Sequence, residues 1–143
     1  MPSIIYASQA PTEQLQRAIS KSDWYDLLGQ IEVESSPAFD GEDSFLAWQY
    51  ALEEYAPHIA TAKIFQGDYR SAEDDSQDPH VAYLSVISVE EIAAEMSTLG
   101  RGYFQGILQQ CGNQNDIWLF DGLVAFLKEA VTKQTPIFVL WGH

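Results

Sequence analysis

The sequence has little cysteine, little positive charge and no long apolar run, and each shortage excludes a class of protein. A single cysteine, Cys111, excludes an internal disulfide framework and fits a reducing compartment. No apolar stretch approaches the roughly 20 residues of a membrane-spanning helix. The first residues lack the basic start and the apolar run of about 7–15 residues that a signal peptide requires. We therefore expect a cytoplasmic protein without a membrane partner.

The shortage of positive charge is the most informative of these features. The chain has 7 basic and 21 acidic residues, and its formal net charge is −14. Residues 22–62 contain nine acids and residues 71–100 contain seven, and neither stretch has a lysine or an arginine. This field opposes contact with nucleic-acid phosphates and with anionic membrane surfaces. We expect no nucleic-acid partner, whereas a basic protein would be attracted.

Length and hydropathy predict one domain that spans residues 1–143. Hydrophobic residues make up 46% of the chain and aromatic residues 13%, which is enough for a hydrophobic core. Strand patterns at Ser3–Ala7, at Val81–Ile87 and in the closing run "TPIFVLWGH" are separated by amphipathic helical patterns. We expect an α+β fold in which a small mixed β-sheet of three to four strands packs with four to six helices. The almost uninterrupted apolar run of the last strand predicts a central position.

Local patterns predict several boundaries within this fold. "SVEE" (Ser88–Glu91) has the spacing of a capping box and predicts a helix capped by its serine. A helix with one apolar stripe is expected from about Ser44, and Asn115 or Asp116 is expected to cap the last long helix. "AKIF" (Ala62–Phe65) is typical of a short strand. The aromatic residues expected in the core are Trp24, Phe45, Trp48, Trp118 and Phe126.

The order of these segments resembles a known family. An opening strand, "PTEQLQRAI", "FLAWQYAL", "YLSVISVEEIAAEMSTL" and "LVAFLKEAVTKQTPIFVLW" follow one another along the chain. This arrangement is similar to the bacterial domain-of-unknown-function family 1877, and the strand and helix of Tyr83–Leu99 are the most similar part. Residues 31–80 depart from the pattern, because the family's usual segment is shortened and acidic here. The resemblance implies one compact α/β-type domain in a bacterial cytoplasm, without an established activity, and it supplies no site residues.

Motifs for metal binding, cofactor binding and covalent catalysis are missing from the sequence. The acid-rich segments Asp40–Ser44 and Asp68–Asp78 lack the order of acids and glycine that an EF-hand needs. No paired cysteines and no His-Glu-x-x-His motif offer zinc ligands, and Gly-x-Ser-x-Gly and phosphate-loop motifs are absent. Cys111 has no adjacent base in the sequence. We therefore predict no catalytic, cofactor-binding or metal-binding residue.

Three explanations of the acidic middle of the chain remain open. The leading one is a non-enzymatic interaction module, of the inhibitor or immunity type, that binds a basic protein partner. An alternative is a small enzyme or small-ligand binder with a pocket between aromatic helices, built from Glu54 and His58 or from Glu91 and Tyr103. In a second alternative the charge serves solubility only. The predicted partner-binding residues are Asp40, Glu42, Asp43, Asp68, Tyr69, Glu73, Asp74, Asp75 and Asp78.

The segment "SAEDDSQDPH" (Ser71–His80) is expected to form an exposed, mobile loop that binds no structural metal. Replacing Glu73, Asp74, Asp75 and Asp78 by asparagine or glutamine should weaken partner binding. The melting temperature should stay unchanged or rise slightly, because mutual repulsion is removed. Melting curves with and without calcium test this prediction. A much lower melting temperature, or a calcium-induced rise of several degrees in the wild type, would identify a structural ion site instead.

Overall fold

The computed structural model describes residues 3–7, 38–70 and 80–141. Its strands are β1 (Ser3–Ala7), β2 (Ala38–Gly41), β3 (Tyr69–Arg70), β4 (His80–Leu84) and β5 (Ile137–Trp141). Its helices are α1 (Glu42–Tyr55), α2 (Val86–Leu99), α3 (Arg101–Gln110) and α4 (Leu119–Lys133), with the 3-10 helices η1 (Ala60–Phe65) and η2 (Gln114–Trp118). No helix in these ranges is long and apolar enough to cross a bilayer.

The described strands form one sheet in the order β2-β1-β5-β4-β3, and every pairing between them is antiparallel. The α+β class is confirmed. The sheet differs in detail from the mixed sheet of three to four strands that we expected, since it has five strands of alternating direction. The edge strands β2 and β3 are only four and two residues long. They lie in acidic, turn-rich sequence, where no alternation of polar and apolar residues marks them.

Strand β5 occupies the centre of the sheet, between β1 and β4, as its apolar sequence predicted. Ile137, Phe138 and Val139 are all 0% exposed. Successive residues of a strand point to opposite faces, so both faces of β5 are buried. Ile137 and Val139 belong to the core that the helices share. Phe138 packs instead on Tyr83 of β4, with ring centroids 5.3 Å apart. The central-strand prediction is confirmed.

Helix α1 packs an apolar stripe into the core, as its periodicity predicted. Phe45, Trp48 and Leu52 are at most 1% exposed. The Trp48 indole stacks on Phe104 of α3, with ring centroids 5.5 Å apart. Tyr55, expected on the same stripe, is 44% exposed because it is the last residue of the helix. The helix begins two residues earlier than expected, directly after β2.

The segment "AKIF" is part of the 3-10 helix η1, so the prediction of a strand there is wrong. The N–H groups of Ala60 and Thr61 donate to the carboxylate of Glu95 on α2, over 2.9 and 2.7 Å. The Thr61 hydroxyl donates to the same carboxylate over 2.7 Å. The acceptors that satisfy the first turn of η1 therefore come from a residue more than thirty positions away, which no local pattern reveals.

Helix α2 begins at Val86 and is capped by Ser85, so the prediction of Ser88 as the cap is wrong. The Ser85 hydroxyl accepts a hydrogen bond from the Ser88 N–H over 3.3 Å. β4 ends at Leu84, and the last residues of the predicted strand form the first turn of α2 instead. The sequence contained two serines three positions apart, and where β4 ends decides which one is the cap.

Helix α4 begins at Leu119 without a side-chain cap, so the predicted capping by Asn115 or Asp116 is wrong. Both residues lie in η2, which runs directly into α4. The inner side of α4 is buried as expected, and its fully buried residues include Leu123 and Leu127. The two amphipathic helices expected between Pro11 and Gly29 lie outside the described residues.

Two helical glycines differ in the space around them, so we expect their replacement by alanine to change the stability in opposite directions. A Cβ at Gly106 of α3 would meet nothing within 4 Å, whereas a Cβ at Gly122 of α4 would lie 2.6 Å from the Phe39 ring. Gly106→Ala should stabilise the protein by up to about 1 kcal/mol through helix propensity. Gly122→Ala should destabilise it by about 1 kcal/mol, because overpacking against Phe39 outweighs the gain in propensity. Urea denaturation measures both values, and a Gly122→Ala variant more stable than wild type would contradict the overpacking argument.

Candidate functional site

The predicted partner-binding residues lie at opposite edges of the sheet. Asp40 in β2 and Asp43 in the first turn of α1 are both exposed, and Glu42 stands between them in the sequence. Asp68 and Tyr69 lie at β3, the other edge strand. Three strands separate these edges, a distance of roughly 19 Å at the usual strand spacing. The remaining residues of the prediction lie outside the described part of the chain: Glu73, Asp74, Asp75 and Asp78.

The carboxylate of Asp68 is engaged inside the protein. It forms an ion pair with Lys63 of η1 over 2.9 Å. It also accepts hydrogen bonds from the Ser88 hydroxyl over 2.8 Å and from the Ser85 N–H over 2.7 Å. Its side chain is 22% exposed. The carboxylate ties the chain before β3 to η1 and to the start of α2, and the role of Asp68 as a partner contact stays a prediction.

Opposing effects set the pKa of Asp68. Burial raises this pKa, but the hydrogen bonds from the Ser85 N–H, from Lys63 and from Ser88 together outweigh burial and hold the pKa below its ordinary value. The folded protein thus favours the ionised carboxylate. This stabilisation is fully present above the pKa of an unfolded-state aspartate, about 3.9. It is lost as the pH falls through the lower pKa of the folded state.

Ser88, Lys63 and Asp68 combine the groups of a nucleophile and its activators, yet their geometry does not serve catalysis. The Lys63 ammonium donates to the Ser88 Oγ over 3.1 Å. The Ser88 hydroxyl donates in turn to Asp68. In this arrangement the lysine is a donor and does not accept the serine proton, as a general base would. Ser88 is also only 3% exposed, so a substrate has no access to it. We interpret the cluster as structural.

The side chains of the alternative acid–base pockets lie on the surface. Glu54, His58 and Glu91 are exposed, and Tyr103 is 39% exposed. An open cavity of about 380 Å³ between α2 and α4 is lined by none of these four residues. In the ranges that the structure describes, no group of three or more His, Cys, Asp or Glu residues could hold a metal ion. The enzyme alternative therefore gains no support from this cavity, since none of its four candidate residues lines it.

Cys111 lies at the end of α3 and is partly buried. Burial, followed by the nearby carboxylate of Glu54, raises the pKa of the Cys111 thiol. A raised pKa disfavours the thiolate, which is the nucleophilic form of cysteine.

Trp118 lies on the surface, although we expected it in the core. Its side chain is 45% exposed, and its indole N–H donates to the Ser44 hydroxyl over 2.8 Å. Ser44 donates in turn to the Asp116 carboxylate over 2.5 Å, and the Trp48 indole donates to the Asp116 carbonyl over 2.8 Å. This network joins η2 to α1 and holds the Trp118 ring at the protein surface. Trp24, another aromatic residue of that prediction, lies outside the described residues.

An exposed strip of α1 continues from this network. Asp43, Tyr50 and Glu54 occur at positions i, i+7 and i+11, which places them on one side of the helix. All three are exposed, Tyr50 to 59%. Trp118 lies beside the N-terminal end of the strip, since Ser44 holds its indole. We call these four residues the acidic–aromatic face. Tyr50 was not among the predicted partner-binding residues, although its position two residues after the buried Trp48 indicates the opposite side of the helix.

Comparisons with known proteins bear on the fold. No protein-family model matches the chain, and no curated protein matches it. Among solved structures, the chain is similar to YfbM, a protein of unknown function from Escherichia coli, with a TM-score of 0.67. The similarity covers 98% of this chain and 99% of that chain, and 9% of the residues are identical. At this identity the similarity shows the fold alone, and the resemblance to family 1877 stays a prediction.

Asp68→Asn should destabilise the protein by about 2 kcal/mol at pH 7, because charge-assisted hydrogen bonds of a mostly buried carboxylate are lost. The difference from wild type should shrink as the pH falls below about 4, because the aspartate of the unfolded chain is protonated first and that of the folded protein only at a lower pH. Urea denaturation at pH 7 and pH 3 measures the difference in the free energy of unfolding between the variant and the wild type. Glu129→Gln is the control, because its ion pair with Lys133 is exposed and should contribute less than about 0.5 kcal/mol. A destabilisation independent of pH would contradict this account.

Proposed function

We propose that the chain is a cytoplasmic, non-enzymatic interaction protein that binds a basic protein partner, in the manner of an inhibitor or immunity-type protein. The observation that carries the proposal is the charge of the β2–α1 segment. Helix α1 contains four acids and no lysine or arginine. Asp40 and Asp43 are both exposed residues near its N-terminal end. A basic partner is the chemistry that complements this surface.

Two lysines of the described residues are already paired with acids outside α1. Lys63 is paired with Asp68 over 2.9 Å, and Lys133 is paired with Glu129 over 2.8 Å. The field of α1 therefore extends into solvent, where it raises the association rate of an oppositely charged protein. Salt should screen this attraction, since the Debye length falls to roughly 10 Å at 0.1 M ionic strength. Strong salt dependence is thus the property that the proposal requires.

Exposed aromatic side chains favour the interaction proposal over charge for solubility alone. Tyr50 and Trp118 lie beside the acids of α1 and are 59% and 45% exposed. Tyrosine and tryptophan are the residues that most often dominate the binding energy of protein interfaces. A surface that serves solubility only has no need of such side chains among its carboxylates. The acid–base alternative has no comparable support, because Glu54 and His58 both lie exposed on the surface.

Neutralising two acids of the β2–α1 segment should weaken binding of the basic partner. Asp40→Asn combined with Asp43→Asn should lower the association rate constant about three- to tenfold at low salt, and this difference should shrink at high salt. The partner is first captured from the host lysate and identified. Its binding to the purified protein is then measured by surface plasmon resonance at about 0.05 and 0.5 M salt.

The matched control removes the same charge from another part of the molecule. Glu90→Gln combined with Glu91→Gln changes two exposed acids of α2 and leaves the same net charge. This variant should keep most of the wild-type association rate. Equal losses in the two double variants would mean that net charge alone matters. A partner that is not basic, or binding that salt does not affect, would refute the proposal.

A further inference from the structure

The surroundings of Trp118 differ from those of an aromatic residue that is exposed by chance. Its N–H group is satisfied within the protein by Ser44, and Ser44 is itself held by Asp116. Ser44 is 8% exposed, so this anchoring point is buried. The indole therefore has little rotational freedom, while 45% of its side-chain surface remains in contact with water. A partner that packs on this ring meets a group that is already ordered, which reduces the entropy cost of binding.

Two exposed acids occupy positions next to Trp118 or next to its hydrogen-bond partner. Asp43 is adjacent in sequence to Ser44, which binds the indole. Asp121 lies one helical turn after Trp118, at i+3, and its side chain is 77% exposed. An exposed indole face with carboxylates beside it attracts a cation on two counts, through the ring quadrupole and through direct charge.

A guanidinium group of the chain itself, that of Arg101, already lies beside Asp121. The Nε of Arg101 is 3.9 Å from an Asp121 carboxylate oxygen, and both side chains are more than half exposed. A pair at this distance and exposure is weak. An incoming guanidinium can therefore displace it. Arginine suits the position better than lysine, because its planar group stacks on an aromatic face and binds a carboxylate with two parallel hydrogen bonds.

We infer that Trp118 is the aromatic anchor of the acidic–aromatic face and that it receives an arginine side chain of the basic partner. The guanidinium of this arginine stacks on the indole and pairs with Asp43 or Asp121. This inference rests on the proposed function, since it names the residue type that the acidic surface recognises. It adds a preference that charge alone does not produce, because arginine and lysine carry the same charge.

Three capped peptides of equal length test the inference. They alternate glycine with arginine, with lysine or with glutamine, and binding is followed at low salt through the indole N–H signals in NMR spectra. The Trp118 signal is assigned by its absence from a Trp118→Leu variant. The wild type should bind the arginine peptide about two- to fivefold more tightly than the lysine peptide, with a shift of the Trp118 signal. The glutamine peptide should not bind.

Variants distinguish an effect of the Trp118 ring on peptide binding from an effect on the stability of the fold. Trp118→Leu should bind the arginine and lysine peptides equally. Trp118→Phe, which keeps an aromatic ring and loses the hydrogen bond to Ser44, should retain part of the preference. Ile87→Ala is the matched control, because it removes an exposed apolar side chain, 69% exposed, from the start of α2. This control should keep the full preference, and melting curves verify that every variant is folded.

Two outcomes would contradict the inference, and they differ in what they imply for the proposed function. If both cationic peptides bind the wild type equally, or if Trp118→Leu keeps the arginine preference, Trp118 is not the anchor and the proposed acidic surface still stands. If neither cationic peptide binds at low salt, both the inference and the proposed function are refuted.

Discussion

Burial of β5 on both faces is the constraint on which the rest of the structure depends. Ile137, Phe138 and Val139 are fully enclosed, so their backbone groups need partners on both sides of the strand. β1 from the start of the chain and β4 from its middle supply these partners. The helical core then covers the face that carries Ile137 and Val139. Distant segments thus meet at one strand, and the helices take their positions from the sheet that it completes.

Three carboxylates hold the connections around this core. Glu95 accepts hydrogen bonds from the first N–H groups of η1. Asp68 accepts a hydrogen bond from the Ser85 N–H group at the start of α2. Asp116 accepts a hydrogen bond from the hydroxyl of Ser44 on α1. Each carboxylate satisfies groups that lie between 17 and 72 positions away in the sequence. Part of the large negative charge therefore serves the fold, and a count of acidic residues overstates the charge that is left for a partner.

The exposed acids of α1 form a candidate recognition surface together with the aromatic side chains beside them. Asp43 and Glu54 share one exposed strip of α1 with Tyr50, and Trp118 lies at its N-terminal end. The same hydrogen-bond network that joins η2 to α1 orients the Trp118 ring. A structural requirement of the fold and a candidate recognition surface thus coincide at Ser44. The enzyme alternative lacks such a coincidence, because its candidate residues lie exposed on the surface: Glu54, His58, Glu91 and Tyr103.

The sequence by itself determined the α+β class, the central position of β5 and the buried stripe of α1. Each of these follows from local hydrophobic patterns, which decide burial because apolar surface avoids water. Only the tertiary structure decided that Ser85 rather than Ser88 caps α2, that "AKIF" is helical, and that Asp68 faces inward while Trp118 faces solvent. These outcomes depend on hydrogen-bond partners far away in the chain, and a carboxylate or an indole takes its position from those partners.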